Sequence, residues 1–488
     1  MPQRLPVRRA LLVAVPLSLA HFASFEIRRS PIVWDMRFYL YFASRVAHGA
    51  VPYRDFFENK TPLSIFAGAV FHRIGLATGL QPVHAIRAGF LLLAAAAGLA
   101  LFAVHRRLAN GRFVPGFLAL CAYLGFPLMG LLPAIGVCPK TLTALFASAT
   151  ALAVGERRFV LAGACGALAF LDWQIGALAA IGAVVGALAK PEKRLRSAAR
   201  VVAGGLLVAT PFVAYFLSTG ALGDALRQTV WTLLARTVES AHKTWAQKGG
   251  HLLDTIRVGC HGHEWLFVVG LTGMLVYPLW LWRRRRHETL GMALALAVYH
   301  YGLAAFSLFD FQSYGDLYIL LYSVAFFAAV VFVEAHAQAR ICFGPRRARM
   351  VDVAAVLLLL VAARPSVLAP ALDLAPPTVD SGATLADQKQ VYREVLLATA
   401  GRRVAFVGPA ELAFLGEQAS AAPFVYWNSV TNNYYRRLGE GYVQAMDRIL
   451  RESGAELLVG DRTLPKEAGD RIIASESGAY SVTLRSTR

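Results

Sequence analysis

From His84 to Val104 the chain reads HAIRAGFLLLAAAAGLALFAV, and the basic triplet His105-Arg106-Arg107 follows at once. At 1.5 Å per residue such a stretch crosses a hydrocarbon core about 30 Å thick as one α-helix. Working outward, comparable apolar runs occur at about 10–25, 113–132, 140–155, 159–171, 174–190, 201–218, 265–282, 289–309, 317–334 and 350–368, which makes about eleven helices. The whole composition agrees. Of 488 residues, 57% are hydrophobic and 16% charged, against roughly 25% charge in a soluble domain, and the mean hydropathy is +0.50. These values exclude an ordinary water-soluble enzyme and a disordered chain. The ten-residue alternating segments of a membrane β-barrel are absent. The expected fold class is an α-helical polytopic membrane protein with a small C-terminal α/β domain.

The net charge of +19 resembles a nucleic-acid signature until the bases are located. They fall in short blocks between apolar runs, at 105–112, 156–158, 190–200, 283–287 and 340–349. All these blocks share the cytoplasmic side if the helices alternate from a cytoplasmic N-terminus, as the positive-inside rule requires. Membrane lipid, not nucleic acid, is therefore the expected partner of the charge. The basic start (Arg4, Arg8, Arg9) and Ser18-Leu19-Ala20 resemble a signal peptide, but an uncleaved first span is preferred because a polar motif follows directly and needs anchoring. Counting Leu63–Leu80 as a span would invert every later loop, so that run is read as an interfacial or re-entrant helix. Five cysteines lie scattered without a CxxC pair, which implies no disulfide framework or zinc ribbon; Cys138 and Cys260 fall on one expected side and could pair.

This topology leaves a first outer loop of about 27–83, a loop of about 219–264, and an outer tail. The division is a membrane domain over 1–368 and an extracytoplasmic domain over 369–488, after a linker marked by Pro365, Pro370, Pro376 and Pro377. In the tail a β-like run at 403–408, a helical 411–418, Phe424-Val425-Tyr426-Trp427, a helix near 442–453 and a strand-like 455–459 read as a small domain with a partly parallel sheet. It has no GxGxxG, and no cytoplasmic loop is large enough for a nucleotide-binding domain, so no nucleotide cofactor is expected.

The first outer loop carries the chain's densest polar sequence: Trp34-Asp35-Met36-Arg37-Phe38-Tyr39, then Gly49-Ala50-Val51-Pro52-Tyr53-Arg54-Asp55-Phe56, then Glu58-Asn59-Lys60-Thr61-Pro62-Leu63. In these motifs the sequence resembles the membrane glycosyltransferases of the GT-C fold that use polyprenyl-phosphate sugars, among them protein O-mannosyltransferases and aminoarabinose transferases. The resemblance covers about residues 10–110 well and the helical remainder more loosely. Asp310-Phe311-Gln312-Ser313-Tyr314-Gly315-Asp316-Leu317 is similar to a late loop of mannosyltransferase-type members. It implies that Asp35 occupies the catalytic acid position, that Lys60 lies near the donor phosphate, and that a divalent metal ion could bridge Asp35 and that phosphate. Relatives often carry Asp-Glu where this chain has Asp35-Met36, and Lys-Pro-Pro where it has Lys60-Thr61-Pro62. A second carboxylate would then come from Asp55 or Glu58.

Elementary chemistry points the same way. Glycosidases need a second carboxyl group because an alkoxide leaving group must be protonated. A lipid phosphate leaves readily and needs cations instead, so one base among several Lys and Arg residues suits a phosphate-linked donor. Lys60, Arg54, Arg87 and Lys140 are the candidate phosphate ligands, the arginines through bidentate bonds. Asp172, Gln174, Asp310 and Asp316 are candidate substrate contacts. Cys260-His261-Gly262-His263-Glu264 clusters imidazoles without HExxH spacing, which makes His261 and His263 weak metal candidates. Each has a plainer reading: Asp35 as a helix cap, Lys60 as a snorkelling lysine, Arg54 and Asp55 as each other's partners, Asp172 as an interfacial carboxylate. The expected activity is transfer of a hexose, mannose by analogy, from a polyprenyl-phosphate donor to an extracytoplasmic acceptor at a bacterial inner membrane. A transporter or lipid flippase, or a non-catalytic assembly protein of the same fold, are the rival readings.

Overall fold

The structure, a computed structural model, describes residues 7–33, 35–189, 194–231, 244–260, 263–283, 288–310, 314–362, 383–423, 442–460, 470–477 and 480–486. Its first part is a helical bundle. The helices are α1 (Val7–Ala23), α2 (Met36–Ala47), α3 (Leu63–Thr78), α4 (Pro82–Leu108), α5 (Phe113–Leu124), α6 (Leu128–Ile135), α7 (Pro139–Gly155), α8 (Phe159–Asp172), α9 (Ala177–Leu188), α10 (Arg194–Ser218), α11 (Leu222–Leu226), α12 (Trp245–Cys260), α13 (Glu264–Arg283), α14 (Leu290–Asp310) and α15 (Tyr314–Ala362). Among the described residues, five helices are alone long and apolar enough to cross a membrane: Pro82–Leu108, Arg194–Ser218, Glu264–Arg283, Leu290–Ser307 and Leu317–Gly344. This is a multi-pass membrane protein.

Several expected spans are differently built. The run 113–132 is a bent pair, α5 and α6 meeting at 58°, because Pro127 supplies no amide and disfavours helical backbone before it. Ala10–Ala23, Leu63–Thr78, Phe159–Asp172 and Gln174–Leu188 are shorter apolar helices, at about 1.5 Å per residue too short to cross a core about 30 Å thick unaided. The expected span at 350–368 continues α15 beyond a break at Gly344, whose φ of 71° no helix contains; its last residues lie outside the described set.

Burial sorts the bundle. In α15's apolar window 78% is buried and in α10's only 17%. α10 turns Leu195, Val202, Leu206, Leu207, Val213 and Leu217 outward, the surface of a helix solvated by hydrocarbon. Where α8 crosses α10, a Cβ on Gly163 or Gly204 would overlap the carbonyls of Val201 and Val160. Only glycine allows that approach, which replaces the missing hydrophobic drive with close packing. α4 packs on α1, α3, α5 and α7 at the centre. Cys138 and Cys260 are both buried free thiols, so the suggested pairing is absent.

The C-terminal unit has α16 (Leu385–Thr399), β1 (Val404–Val407), α17 (Ala410–Leu415), α18 (Tyr442–Ser453), β2 (Leu457–Gly460), β3 (Arg471–Ala474) and β4 (Ser481–Ser486). The sheet order is β1-β2-β4-β3. β1 and β2 run parallel with Val404 opposite Leu457, whereas β4 is antiparallel to both β2 and β3. The partly parallel sheet was legible; β3 and β4 were not foreseen, and 424–427 lies outside the described residues. α16 starts with a reciprocal cap, Thr384 on the Asp387 amide and Asp387 on the Thr384 amide.

Candidate active site in the first loop

The expected loop of 27–83 contains two helices and two irregular segments. In α2 every residue from Tyr39 to Ser44 is buried, with Met36 and Ala47, because this short helix is packed between α3 on one side and α17 of the C-terminal unit on the other. Asp35 stands directly before α2 and is exposed. Its carbonyl accepts from the amides of Phe38 and Tyr39 at 3.1 and 3.3 Å, but its carboxylate makes no cap hydrogen bond. The plain reading of Asp35 as a side-chain cap therefore does not hold.

The segment 48–62 folds back beside it. Tyr53 adopts φ 71°, a left-handed conformation costly for a bulky residue and found where surroundings over-determine the backbone. Three hydrogen bonds do so: the Tyr53 hydroxyl donates to the Lys60 carbonyl at 2.7 Å, Gln228 Nε2 to the Tyr53 carbonyl at 2.7 Å, and the Glu58 amide to Gln228 Oε1 at 3.0 Å. Glu58 is 1% exposed, and its Oε1 accepts the amides of Asn59 and Lys60 at 2.9 and 2.8 Å. Burial pushes its carboxyl up to about 7, opposed by the Lys60 charge and reinforced by Asp35. Lys60 Nζ lies 5.1 Å from the centre of the Tyr39 ring, a cation–π contact to the helix that Asp35 begins. Asp35, Glu58 and Lys60 thus form one cluster.

The other candidates have defined places. Arg54 and Asp55 hold each other through paired bonds of 2.8 and 3.0 Å; Asp55 also accepts the Val51 amide, and the Arg54 hydrogen bond holds its carboxyl below the usual range. Asp172 is fully buried and joins three helices, accepting from Ser64 of α3 on one oxygen and from the Thr143 amide and hydroxyl, both 2.7 Å, on the other. Lys140 opens α7 with its Nζ 5.2 Å from the Trp173 ring centre. Gln174 Nε2 donates to the Asn59 carbonyl at 2.6 Å, tying α9's start to the Glu58 turn. Arg87 is wholly buried and donates to the carbonyls of Ile27, Ser30 and Pro31 at 2.8, 2.8 and 3.0 Å. Both Nη groups thus engage the backbone, and Nε is buried without a hydrogen-bond partner. Asp310 ends α14 and Asp316 lies in α15's first turn, their side chains outside the described set. His263 is buried ahead of α13, and His261 lies outside the described residues. Gln228, Tyr39, Ser64 and Thr143 were missed; Gln228 is remote in sequence and carries no local signal.

A helical membrane bundle with a small C-terminal α/β unit is the layout of the GT-C fold. No protein-family model matches the chain, and no curated protein matches it. Among solved structures it is similar to ArnT from Cupriavidus metallidurans bound to undecaprenyl phosphate, with TM-score 0.61 and 15% identity over 98% of both chains. The same protein in the apo state gives 0.60 and 14%, again over 98% of each. The Archaeoglobus fulgidus oligosaccharyltransferase, solved with Zn and sulfate, gives 0.51 and 12% over 93% of this chain and 68% of that one. The fold expected from the first-loop motifs is the fold observed.

Proposed function

We propose that this chain is an integral membrane glycosyltransferase that moves a sugar, a hexose such as mannose, from a polyprenyl-phosphate donor to an extracytoplasmic acceptor with inversion. The observation that carries the reading is the Asp35 carboxylate, exposed and uncapped, beside the buried Glu58–Lys60 turn at the head of the bundle. The shared fold with a structure holding undecaprenyl phosphate supports it. In this mechanism Asp35 accepts the proton of the acceptor hydroxyl while that oxygen attacks the anomeric carbon. The bond from anomeric carbon to phosphate oxygen breaks, its electron pair leaves with the lipid phosphate, and Lys60 balances the charge that develops there. Grooves between apolar helices would take the polyprenyl chain. The orientation that suits this chemistry keeps the N-terminus and the basic blocks cytoplasmic, with the C-terminal unit outside.

Among the described residues no three His, Cys, Asp or Glu side chains gather, so they hold no all-protein metal cage. A hard divalent cation commonly takes one or two carboxylates and completes its shell with phosphate oxygens and water. Asp35 fits that part, and the ion, when bound, would supply further neutralisation of the phosphate.

The test is turnover of a labelled polyprenyl-phosphate sugar panel by the purified protein in lipid nanodiscs, with membrane extract as acceptor. Asp35→Asn should lower kcat about 10²–10⁴-fold with an unchanged thermal midpoint. Undiminished turnover in that variant removes Asp35 from the reaction. No turnover by folded wild type favours the transport or assembly readings.

A further inference from the structure

The segment ahead of Asp35 is neither helix nor strand over 26–33, yet its backbone is held on every side. Arg87 takes the carbonyls of Ile27, Ser30 and Pro31 from within the bundle. Glu26 Oε1 caps the amides of Arg28 and Arg29 at 2.6 and 3.0 Å. From the opposite side comes Gln388, on the first helix of the C-terminal unit and 1% exposed. Its amide pairs with both polar groups of Ile32: the Ile32 N–H donates to Oε1 and Nε2 donates to the Ile32 carbonyl, each at 2.8 Å. Only the carboxamides of Asn and Gln can do this, since a primary amide offers a donor and an acceptor spaced like a peptide group. The Leu385 amide adds a bond to the Arg29 carbonyl at 3.1 Å, so α16 meets the segment as a neighbouring strand would.

The placement has a geometric consequence. Ile32 and Asp35 are three residue steps apart, and at about 3.3–3.6 Å each these span at most about 11 Å. The carboxylate is therefore on a short tether whose near end is fixed by a residue 356 positions away. The same unit also grips the loop's other limb. The Ser420 amide donates to the Tyr41 hydroxyl in α2 at 3.0 Å, and the Phe57 amide, next to Glu58, donates to the Pro423 carbonyl at 3.2 Å.

We infer that Gln388 is a positioning residue for Asp35, and that the C-terminal unit sets the geometry of the reacting carboxylate through the Gln388–Ile32 clasp. The inference rests on the proposed transferase reading for its kinetic arm only. Gln388→Ala removes both bonds. Gln388→Glu keeps the volume and the acceptor for the Ile32 N–H but sets a second oxygen against the Ile32 carbonyl. Both variants should lose protection of the 29–36 backbone in amide hydrogen exchange, with the rest of α16 and the bundle exchanging as in wild type. Where turnover is measured, kcat should fall by about 10²-fold, the usual cost of an ångström of misplacement, while the donor KM stays within about threefold of wild type. A general structural role would instead lower the thermal midpoint and leave the kcat of the surviving protein unchanged. Wild-type protection at 29–36 in Gln388→Glu overturns the inference whether or not the protein turns over any donor. Wild-type kcat in that variant overturns it as well. Inactive wild type would count against the transferase reading alone, with the exchange result still deciding this one.

Discussion

The buried Glu58 carboxyl yields a prediction whose size comes from the structure. Burial raises it from an ordinary 4.5 to about 7, so between these values the folded protein holds a proton that the unfolded chain has released. Stability from this group is fully present below about 4.5 and is lost as pH rises through about 7. That rise corresponds to on the order of 3 kcal/mol. Glu58→Gln retains an oxygen for the Asn59 and Lys60 amides and has no proton to lose. Thermal unfolding of both proteins in nanodiscs should give nearly equal midpoints at about pH 5 and a variant more stable by a few degrees at about pH 8. Taking the difference cancels every other titrating group. The same titration should act on function, because above about pH 7 an anionic Glu58 offsets the Lys60 charge. The donor KM should therefore rise with pH in wild type and stay flat in the variant. A midpoint difference that is constant in pH, or that favours wild type at high pH, would refute the argument by showing Glu58 ionised throughout.

Two further perturbations separate scaffold from site. Asp172→Asn can keep its oxygen on Thr143 and turn its amide to Ser64, so activity should persist with a stability loss of about 1 kcal/mol, the value of a carboxylate at a helix start. Asp172→Leu strands the Thr143 amide and two hydroxyls and should cost about 1–3 kcal/mol for each; lost turnover with full stability in Asp172→Asn would restore a substrate role. Gly273→Leu places a side chain where a Cβ already overlaps the Phe327 carbonyl, so α13 and α15 must separate and the thermal midpoint should fall; an unchanged midpoint would show that this crossing is not tight.

The apolar runs made the bundle legible because hydrocarbon solvation leaves a long, one-dimensional trace: α4, α10, α13, α14 and the first half of α15 are all continuous in sequence. The first loop was legible for a different reason. Asp35, Glu58 and Lys60 stand within short motifs, so proximity in sequence anticipated proximity in space. What could not be read were the partners. A buried arginine near a helix start looks the same whether it faces a phosphate or three carbonyls, and only the irregular path of 27–31 decides for the carbonyls around Arg87. Arg54 and Asp55 showed both readings at once, and the paired geometry favours their mutual bond.

The least legible feature is the one that ties the two parts of the molecule together. A glutamine in an amphipathic helix carries no mark of its partner, and Gln388 finds Ile32 only after 356 residues of chain have folded. Such distant clasps follow from what the site requires. Asp35 is carried by an irregular segment, whose amides and carbonyls are not paired within a helix and must be satisfied by side chains or by a second layer. Arg87 supplies the first and α16 the second. That division explains why a membrane bundle with a complete helical core carries an α/β unit over its first loop, and why the residues that fix Asp35 lie in parts of the sequence that hold no recognisable motif.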